Sequence, residues 1–295
     1  MKPPPFEYFE PTDLEEALQL LREYGDDGVI LAGGQSLLPV LNFRLTQPEI
    51  LIDINRLESN SDLEVSHIQS TQSELRFGPL TRQRELELSS LVLKSCPLLS
   101  GAARYVGNPT IRNRGTFAGS LAHGDPAGEF PLVATILGAE MLLLSENGSR
   151  RLTSEEFFLG HLSTALDGSE LLAQIHIPCS EALTGWGFHE LDVTPRALIA
   201  AAALVTLDQD GKCSEARLGF AGMGPVPMRA RKAETLLEGQ KINRAIILEA
   251  AHVAATQEVD PVSDEVASAS YRTALAETFL ARAIIDAMAR LEERH

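Results

Sequence analysis

The 295-residue sequence predicts an α+β protein of two domains, on the basis of three changes in residue pattern. Residues 1–57 alternate between helical periodicity and short apolar runs, which is typical of a small α/β unit. Residues 58–178 place strand patterns on both sides of a helical region, which indicates a larger α+β unit. Three strand-like and then three helical runs follow, which predict a three-stranded antiparallel sheet with helices. We therefore expect a two-part first domain over residues 1–178 and a second domain over residues 179–295.

The N-terminal unit is predicted to begin with a capped helix and to contain two buried strands. Asp13 precedes apolar residues at helical spacing, and this pattern ends near Gly25. The apolar runs 29–32 and 50–54 have the length of short buried strands. A second helix between them is predicted from its apolar positions, which are Leu37, Leu38, Val40, Leu41 and Leu45.

The same periodicities assign the remaining elements. In the larger unit, strands are predicted at 63–68, 75–78, 139–144 and 171–177, and helices at 81–88, 91–105, 131–137 and 155–160. In the second domain, strands are predicted at 187–192, 197–207 and 216–222, and helices at 228–238, 244–256 and 271–293. One face of the last helix is predicted to be buried and carries Leu275, Phe279, Ala283, Ala287 and Leu291.

The stretch from Tyr105 to Pro131 contains five glycines and three prolines, so we predict an ordered loop rather than a helix or a central strand. Within residues 116–120 (TFAGS), the two small residues Ala118 and Gly119 would let the backbone approach an anion, and the hydroxyl groups of Thr116 and Ser120 could donate hydrogen bonds to it. A cluster of purely structural turns remains the alternative interpretation of this stretch.

A second candidate anion site is the turn from Gly33 to Ser36, between the first buried strand and the second helix. Free N–H groups and the positive end of a helix dipole would meet there, and both favour a phosphate. The turn lacks the GxGxxG spacing of dinucleotide-binding folds and the GK[ST] ending of a P-loop. A tight structural turn with Ser36 as the helix N-cap is the alternative.

Composition excludes several classes of partner. The net charge of −16 and the pI near 4.9 argue against nucleic acid and against an anionic membrane surface. No apolar run is long enough for a membrane span, and the N-terminus has no apolar signal region, so we expect a cytoplasmic protein. Cys96, Cys179 and Cys213 are too widely separated for a disulfide framework or a metal site, so no metal ligands are predicted.

Two segments together are specific for one family: residues 32–37 (AGGQSL) and residues 112–123 (RNRGTFAGSLAH). The similarity continues through residues 124–129, residues 218–230 and the pair Tyr271-Arg272, so it covers nearly the whole chain. In these motifs the chain resembles the FAD-binding medium subunits of the molybdenum hydroxylases, which include xanthine dehydrogenases, carbon monoxide dehydrogenases and azaheterocycle dehydrogenases. The resemblance implies that the first domain is an FAD-binding domain with subdomains divided near residue 57.

The resemblance also implies a set of FAD-binding residues. The FAD diphosphate would be held by backbone amides of two groups, Ala32, Gly33, Gly34, Gln35, Ser36 and Leu37 and then Gly115, Thr116, Phe117, Ala118, Gly119 and Ser120. Val106 and Gly107 fall where the family contacts the ring systems of the cofactor. His123, Asp125 and Glu129 fall near the ribityl chain and the isoalloxazine ring. For His123, a loop histidine bonded to a backbone carbonyl is the alternative.

Two departures from the family pattern put parts of this site in question. Ala118 stands where the family commonly has a glycine, and its methyl group is tolerated only if φ is negative. In the stretch after Phe188 the family usually has an arginine and a Gly-Asp pair before an apolar strand. Here residues 192–197 read DVTPRA, which puts any cofactor contact from this segment in doubt.

The implied function is that of an electron-transfer subunit without catalytic residues of its own. Electrons would come from the [2Fe–2S] clusters of a small partner subunit, after hydroxylation of the substrate at the molybdenum cofactor of a large one. FAD would then pass them to an external acceptor. The family implies a dimer of such heterotrimers, and noncovalent FAD is predicted because the two loops offer amides and hydroxyls, with His123 the one exception. A stand-alone FAD oxidoreductase and a non-enzymatic nucleotide- or CoA-binding module remain alternatives.

Overall fold

The computed structural model describes residues 2–58, 65–66, 68–180, 183–193 and 197–293. The described residues form three sheets of three to five strands with helices packed against them, and one two-stranded hairpin. This arrangement confirms the α+β class and the predicted order of a small α/β unit, a larger α+β unit and an antiparallel sheet with helices.

The N-terminal unit is a parallel sheet in the order β1–β3–β2. Its strands are β1 (Glu7–Phe9), β2 (Gly28–Leu31) and β3 (Ile50–Asp53). Helix α1 (Leu14–Tyr24) packs on β3 and begins where Asp13 accepts a hydrogen bond from the N–H of Glu16. Helix α1 and strands β2 and β3 confirm the prediction. Strand β1 was not predicted, because residues 7–9 and the proline-rich segment before them show no periodicity of a strand. Residues 7–9 become a strand by pairing with β3.

Helix α2 (Leu37–Asn42) is shorter and more exposed than predicted. Of its five predicted apolar positions only Leu41 is buried, and Leu45 lies beyond the end of the helix and is 77% exposed. The reason is local, since Arg44 has a φ of 57°, which breaks the helical path before Leu45 is reached.

The larger unit is built on an antiparallel sheet in the order β4–β5–β10–β6–β7. Its strands are β4 (Ile68–Ser70), β5 (Glu74–Phe77), β6 (Glu140–Ser145), β7 (Gly148–Thr153) and β10 (Leu171–Pro178). A hairpin of β8 (Phe158–Gly160) and β9 (Ser163–Thr164) lies between β7 and β10 in sequence. Of the strand predicted at 63–68, residues 63, 64 and 67 lie outside the described residues, residues 65–66 form a bend, and β4 begins at the last position.

Short helices connect the strands of this unit. They are α3 (Gln83–Leu88), α4 (Ser90–Ser95), α5 (Pro97–Ala103), α6 (Pro109–Arg114), α7 (Phe117–His123), α8 (Glu129–Leu137) and α9 (Ser154–Phe157). The single helix predicted over 91–105 is wrong, because Pro97 cannot continue a hydrogen-bonded helix and instead begins α5. The helix predicted at 155–160 ends early at Phe157, where the chain enters β8.

The glycine-rich stretch is not the irregular loop that we predicted, because α6, α7 and the start of α8 lie within it. Asn108 caps α6 by accepting a hydrogen bond from the N–H of Ile111, and Thr116 caps α7 by accepting one from the N–H of Gly119. Gly124 ends α7 with a left-handed φ of 62°. The glycines and prolines of this stretch therefore punctuate short helices.

The C-terminal part contains an antiparallel sheet in the order β11–β12–β13–β14. Its strands are β11 (Thr184–Asp192), β12 (Ala197–Leu207), β13 (Cys213–Ala221) and β14 (Met228–Arg229). The fourth strand was not predicted, since Met228 was expected to start a helix. A Cβ atom on Gly219 would lie 2.4 Å from the carbonyl oxygen of Met228, so the missing side chain lets β14 pair closely with β13.

Three helices, α10 (Arg231–Leu237), α11 (Arg244–Gln257) and α12 (Ala269–Glu292), cover one face of this sheet. As predicted, α12 buries Phe279, Ala283, Ala287 and Leu291. Within the described ranges no helix is both long enough and apolar enough to cross a membrane.

The other face of the C-terminal sheet packs on the larger unit. Phe188 and Ala200 of the sheet share a hydrophobic core with Phe117 of α7 and Phe130 of α8. The Phe117 ring packs edge-on against Phe77 and Phe130, with centroid separations of 5.3 and 5.2 Å. This shared core fixes the C-terminal sheet beside α7 and α8, which carry six of the predicted site residues.

Candidate cofactor site

The two predicted glycine segments meet at Gly33. A Cβ atom at this position would lie 2.5 Å from the carbonyl oxygen of Arg114 and 2.7 Å from the Cα of Gly115. Only glycine permits so close a contact between two backbones. Gly34, with a φ of 70°, then turns the chain away into α2. The structure therefore brings together the two segments that the motif analysis assigned to one ligand.

The first segment presents a row of backbone N–H groups at the start of α2. In the described part of the chain, no hydrogen bond uses the N–H groups of residues 33–37. Ser36 stands at the N-cap position of α2, as in the alternative interpretation, but its backbone is already helical and its side chain caps no N–H group. Free N–H groups converging at a helix start are well suited to a phosphate group.

A polar network that the sequence analysis missed connects the two segments. Arg82 donates from Nη1 to the carbonyl oxygen of Arg114 at 2.7 Å and from Nη2 to Oδ1 of Asn55 at 2.8 Å. Asn55 in turn donates from Nδ2 to the carbonyl oxygen of Ala32 at 2.7 Å. Burial, followed by the positive charge of Arg114, lowers the pKa of Arg82. Positive charge is thus concentrated beside the free N–H groups, which favours an anionic ligand.

The topology contained a signal for Asn55 that could have been used. Asn55 follows β3 as the first glycine segment follows β2, and these strands are parallel neighbours. Ligands bind outside the carboxyl ends of such strands, so a polar residue there is a candidate. Arg82 gave no comparable signal, because it belongs to the other unit and reaches the site only through the tertiary fold.

The second segment uses several of its polar groups within the protein. The N–H of Phe117 donates to the carbonyl oxygen of Thr81 at 2.9 Å, and the N–H of Gly119 is bound by the hydroxyl of Thr116. The hydroxyl of Ser120 accepts a hydrogen bond from Nε2 of Gln83 at 2.8 Å. Part of the predicted donor set is therefore already engaged in holding the start of α7.

The Ala118 N–H and the exposed backbone of Gly119 are the parts of this segment best placed for a ligand. Among the described residues, no hydrogen bond uses the N–H of Ala118. Ala118 lies inside α7 and is not one of the described residues with positive φ, so its methyl group is accommodated without backbone strain. The departure from the family glycine does not distort this segment.

Val106 and Gly107 are fixed at the contact between the larger unit and the C-terminal sheet. Arg112, which is 6% exposed, donates from Nη1 to the carbonyl oxygens of Val106 and Gly107 at 2.9 and 3.3 Å. The ring of the preceding residue, Tyr105, lies 5.0 Å from that of Phe188 on β11. The backbone carbonyl oxygens of Val106 and Gly107 therefore already accept hydrogen bonds from Arg112, and a ligand would contact the other atoms of these two residues.

The predicted residues after α7 lie at the same contact between units. His123 is the half-buried last residue of α7, and Asp125 accepts a hydrogen bond within its own turn. The carbonyl oxygen of Pro126 accepts a hydrogen bond from the N–H of Gly222, which follows β13. Glu129 begins α8. These residues could therefore contact a ligand that lies between the larger unit and the C-terminal sheet.

Glu190 of β11 is a further residue of this region that the sequence analysis missed. Both of its carboxylate oxygens are buried, and neither has a hydrogen-bond partner among the described residues. Burial raises the pKa of Glu190, and the negative charges of Glu129 and Asp192 add to the effect. Burial likewise raises the pKa of Glu129, with Asp192 and Asp125 as its charged neighbours. Glu190 therefore keeps its proton at pH values at which an exposed glutamic acid side chain has already lost it.

This proton should make the stability of the chain depend on pH. The folded-state pKa values lie above the unfolded ones, so the folded state binds more protons, and the free energy of unfolding should fall as pH rises beyond the ordinary carboxyl range. The slope is about 1.4 kcal/mol per pH unit for each retained proton. We expect Glu190→Gln to reduce this slope between about pH 6 and pH 9 in denaturant unfolding of the cofactor-free chain. Exposed Glu249→Gln is the control, and equal slopes in both variants would contradict the account.

Two family models match this chain. One, described as the FAD binding domain in molybdopterin dehydrogenase, matches residues 4–180, and the other, described as the CO dehydrogenase flavoprotein C-terminal domain, matches residues 195–287. The chain belongs to the FAD-binding subunits of the molybdenum hydroxylases. The resemblance drawn from the motifs is confirmed, and with it the FAD cofactor and the oxidoreductase class of this subunit.

Individual relatives agree over almost the full length. The chain is 38% identical to the 6-hydroxypseudooxynicotine dehydrogenase complex subunit alpha of Paenarthrobacter nicotinovorans, over 98% of this chain and 97% of the relative. It is 36% identical to a chain of the solved carbon monoxide dehydrogenase from Hydrogenophaga pseudoflava, with a TM-score of 0.92 and coverage of 98% and 99%. A chain of quinoline 2-oxidoreductase from Pseudomonas putida 86 gives a TM-score of 0.90 at 33% identity, with 99% of each chain covered.

The second departure from the family pattern, at residues 192–197, is described by the structure only at its edges. Residues 194–196, at its centre, lie outside the described residues. Its described flanks are Asp192, whose charge acts on Glu190 and Glu129, and Val193, which is exposed. Of these two flanking residues, Asp192 adds a negative charge beside Glu190 and Glu129.

Proposed function

We propose that this FAD-binding subunit holds FAD noncovalently at the meeting of its two glycine segments and passes electrons from an iron–sulfur partner to an external acceptor. The observation that supports this most strongly is the row of free N–H groups at residues 33–37 beside Arg82 and Arg114. A diphosphate brings negative charge and several acceptor oxygens, which match these donors. Bound FAD supplies the redox chemistry, because a flavin can collect single electrons and release them as a pair.

We assign a different part of FAD to each group of predicted site residues. We assign the diphosphate to the N–H groups of residues 33–37 and of Ala118, with Arg82 offsetting its charge. The ring systems of the cofactor are assigned to Val106 and Gly107. The ribityl chain and the isoalloxazine are assigned to a group of three, His123, Asp125 and Glu129. Glu190 lies close enough to Glu129 for their charges to interact, and its protonated carboxyl group would donate a hydrogen bond, which an ionised carboxylate could not.

We further propose that the subunit works in a dimer of heterotrimers with a small iron–sulfur subunit and a large molybdenum-cofactor subunit. Support comes from the relatives, whose names describe them as a complex subunit or a medium chain of a dehydrogenase. We place the complex in the cytoplasm, where the free thiols of Cys96, Cys179 and Cys213 would stay reduced. The nicotine-, caffeine- and carbon monoxide-related names of the relatives leave the substrate class of the partner's molybdenum site open.

Noncovalent attachment gives the first test of the cofactor assignment. Purified yellow protein is expected to release its flavin when it is precipitated with acid, because amides, hydroxyls and guanidinium groups bind FAD without a covalent bond. The absorbance spectrum of the supernatant measures the release, and chromatography against authentic FAD identifies the compound. Yellow colour that stays in the washed pellet would contradict noncovalent binding, and a colourless purified protein that cannot be loaded with FAD would contradict the proposed function itself.

A further inference from the structure

A pocket lined by residues outside the two glycine segments lies where α5, β11 and α12 meet. Its volume is about 320 Å³, within the range of small-molecule sites, and three aromatic side chains line it: Tyr105, Trp186 and Phe188. Tyr105 is the first residue of the glycine-rich stretch singled out in the sequence, and the pocket lining includes none of the residues predicted to bind FAD.

The walls of this pocket are held rigidly in place. A Cβ atom on Gly101 would lie 2.3 Å from the Trp186 ring, so the indole packs directly on the backbone of α5. On α12, the Arg290 guanidinium lies 3.9 Å from the centroid of the Trp186 ring and donates from Nη1 to the Trp186 carbonyl oxygen at 2.5 Å. Phe188 is fixed by its contact with Tyr105. Rigid walls of this kind reduce the entropy cost of binding a planar ligand.

The charges of the pocket favour an anion. Arg104 and Arg290 line it, opposed by the single carboxylate of Asp286. That carboxylate is already engaged, because it lies 3.2 Å from Nε2 of His189 and 3.7 Å from Nη1 of Arg290. The exposed guanidinium of Arg104 makes no hydrogen bond or ion pair with any other described residue. Two guanidinium groups at one pocket are notable in a chain of net charge −16.

We propose that this pocket binds a planar aromatic anion, with the ring against Trp186 and Tyr105 and the acidic group on Arg104. Aromatic faces bind planar rings by stacking, and a free guanidinium binds carboxylate or phosphate through paired hydrogen bonds. The pocket shares no lining residue with the proposed FAD site, so its occupancy is tested independently of that assignment.

The protein provides its own probe, because Trp186 is its only tryptophan. The FAD-loaded chain is titrated with benzoate, 1-naphthoate and adenosine 5′-monophosphate while tryptophan fluorescence is recorded. Each anion is paired with its neutral counterpart, namely benzamide, 1-naphthamide and adenosine. We expect a saturable fluorescence change with at least one anion, at an affinity about tenfold or more above that of its neutral counterpart. Flavin absorbance in the protein should stay constant, which separates this site from the FAD site.

Arg104→Gln tests the residue that carries the specificity. We expect it to weaken binding of the anion about tenfold or more and to leave the neutral counterpart unchanged. Exposed Arg244→Gln is the matched control, since it removes the same charge from α11. The proposal is overturned if no anion gives a saturable change, if Arg104→Gln binds as tightly as the control, or if the change coincides with release of flavin. If no anion binds the isolated chain but the fluorescence of Trp186 changes when the partner subunits are added, this face is a protein interface and the proposal is overturned.

Discussion

Gly33→Ala is expected to abolish retention of FAD during purification, although it adds only one methyl group. The added carbon would lie 2.5 Å from the carbonyl oxygen of Arg114 and 2.7 Å from the Cα of Gly115. Backbone atoms cannot rotate away as a flexible side chain can, so the two glycine segments must move apart. Overpacking of this kind costs on the order of 3 kcal/mol, which corresponds to roughly a hundredfold loss of affinity if the strain falls on the binding-competent arrangement.

The measurement is the ratio of flavin to protein after gel filtration, together with a titration of the cofactor-free variant with FAD. Gly211→Ala is the matched control, and Gly211 lies in the hairpin between β12 and β13. It has a φ of 74°, but no atom lies within 4 Å of the position that its Cβ atom would occupy. The control should lose about 1–2 kcal/mol of stability through its backbone and keep its flavin. A Gly33→Ala variant with wild-type flavin content would remove the contact between the two segments from the account of the site.

Arg82→Gln is expected to weaken FAD binding by roughly a hundredfold while leaving a folded protein. The substitution removes two hydrogen bonds, to the carbonyl oxygen of Arg114 and to Asn55, and it removes a positive charge beside the free N–H groups. Hydrogen bonds that involve a charged group contribute about 1.5–3 kcal/mol each. Arg82→Lys keeps the charge but not the forked geometry, so we expect an intermediate affinity.

Two controls separate binding from folding in this experiment. Arg22→Gln removes an equal charge from an exposed pair between α1 and Glu146 in the turn from β6 to β7, and it should leave FAD affinity unchanged. Thermal unfolding of the cofactor-free variants reports the loss of the bridge to Asn55 independently of any ligand. Equal FAD affinity in Arg82→Gln and Arg22→Gln would show that the guanidinium ties the segments together without contributing to the cofactor site.

The sequence was sufficient to predict those helices and strands whose ends are determined by residues within or next to them. Asp13 caps α1 and Gly25 ends it, and the periodicity of α12 gave its buried face, because these features depend on neighbours within a few positions. The motif also located both glycine segments. It could not show that Gly33 touches Arg114, since that contact depends on how the two units pack.

The failures have equally specific causes. A high content of glycine and proline was taken to indicate a loop between Tyr105 and Pro131, but Asn108 and Thr116 supply caps that make short helices stable there. Glu190 was missed because its burial arises only when β11 packs against the larger unit, and an acidic residue in a half-exposed strand pattern gives no warning of it. The site that matters for function is thus built largely from contacts between units.

The central claim is that this chain carries FAD for electrons that another subunit extracts, and one assay tests it most directly. The chain is expressed alone, loaded with FAD, shown to contain neither molybdenum nor iron, and assayed with azaheterocycles, aldehydes and carbon monoxide in the presence of a dye acceptor. The account predicts a stable yellow protein that oxidises none of these substrates, and whose flavin becomes reduced by substrate only when the iron–sulfur and molybdenum subunits are added. Robust turnover by the isolated, metal-free chain would contradict the claim and identify it as a stand-alone oxidoreductase.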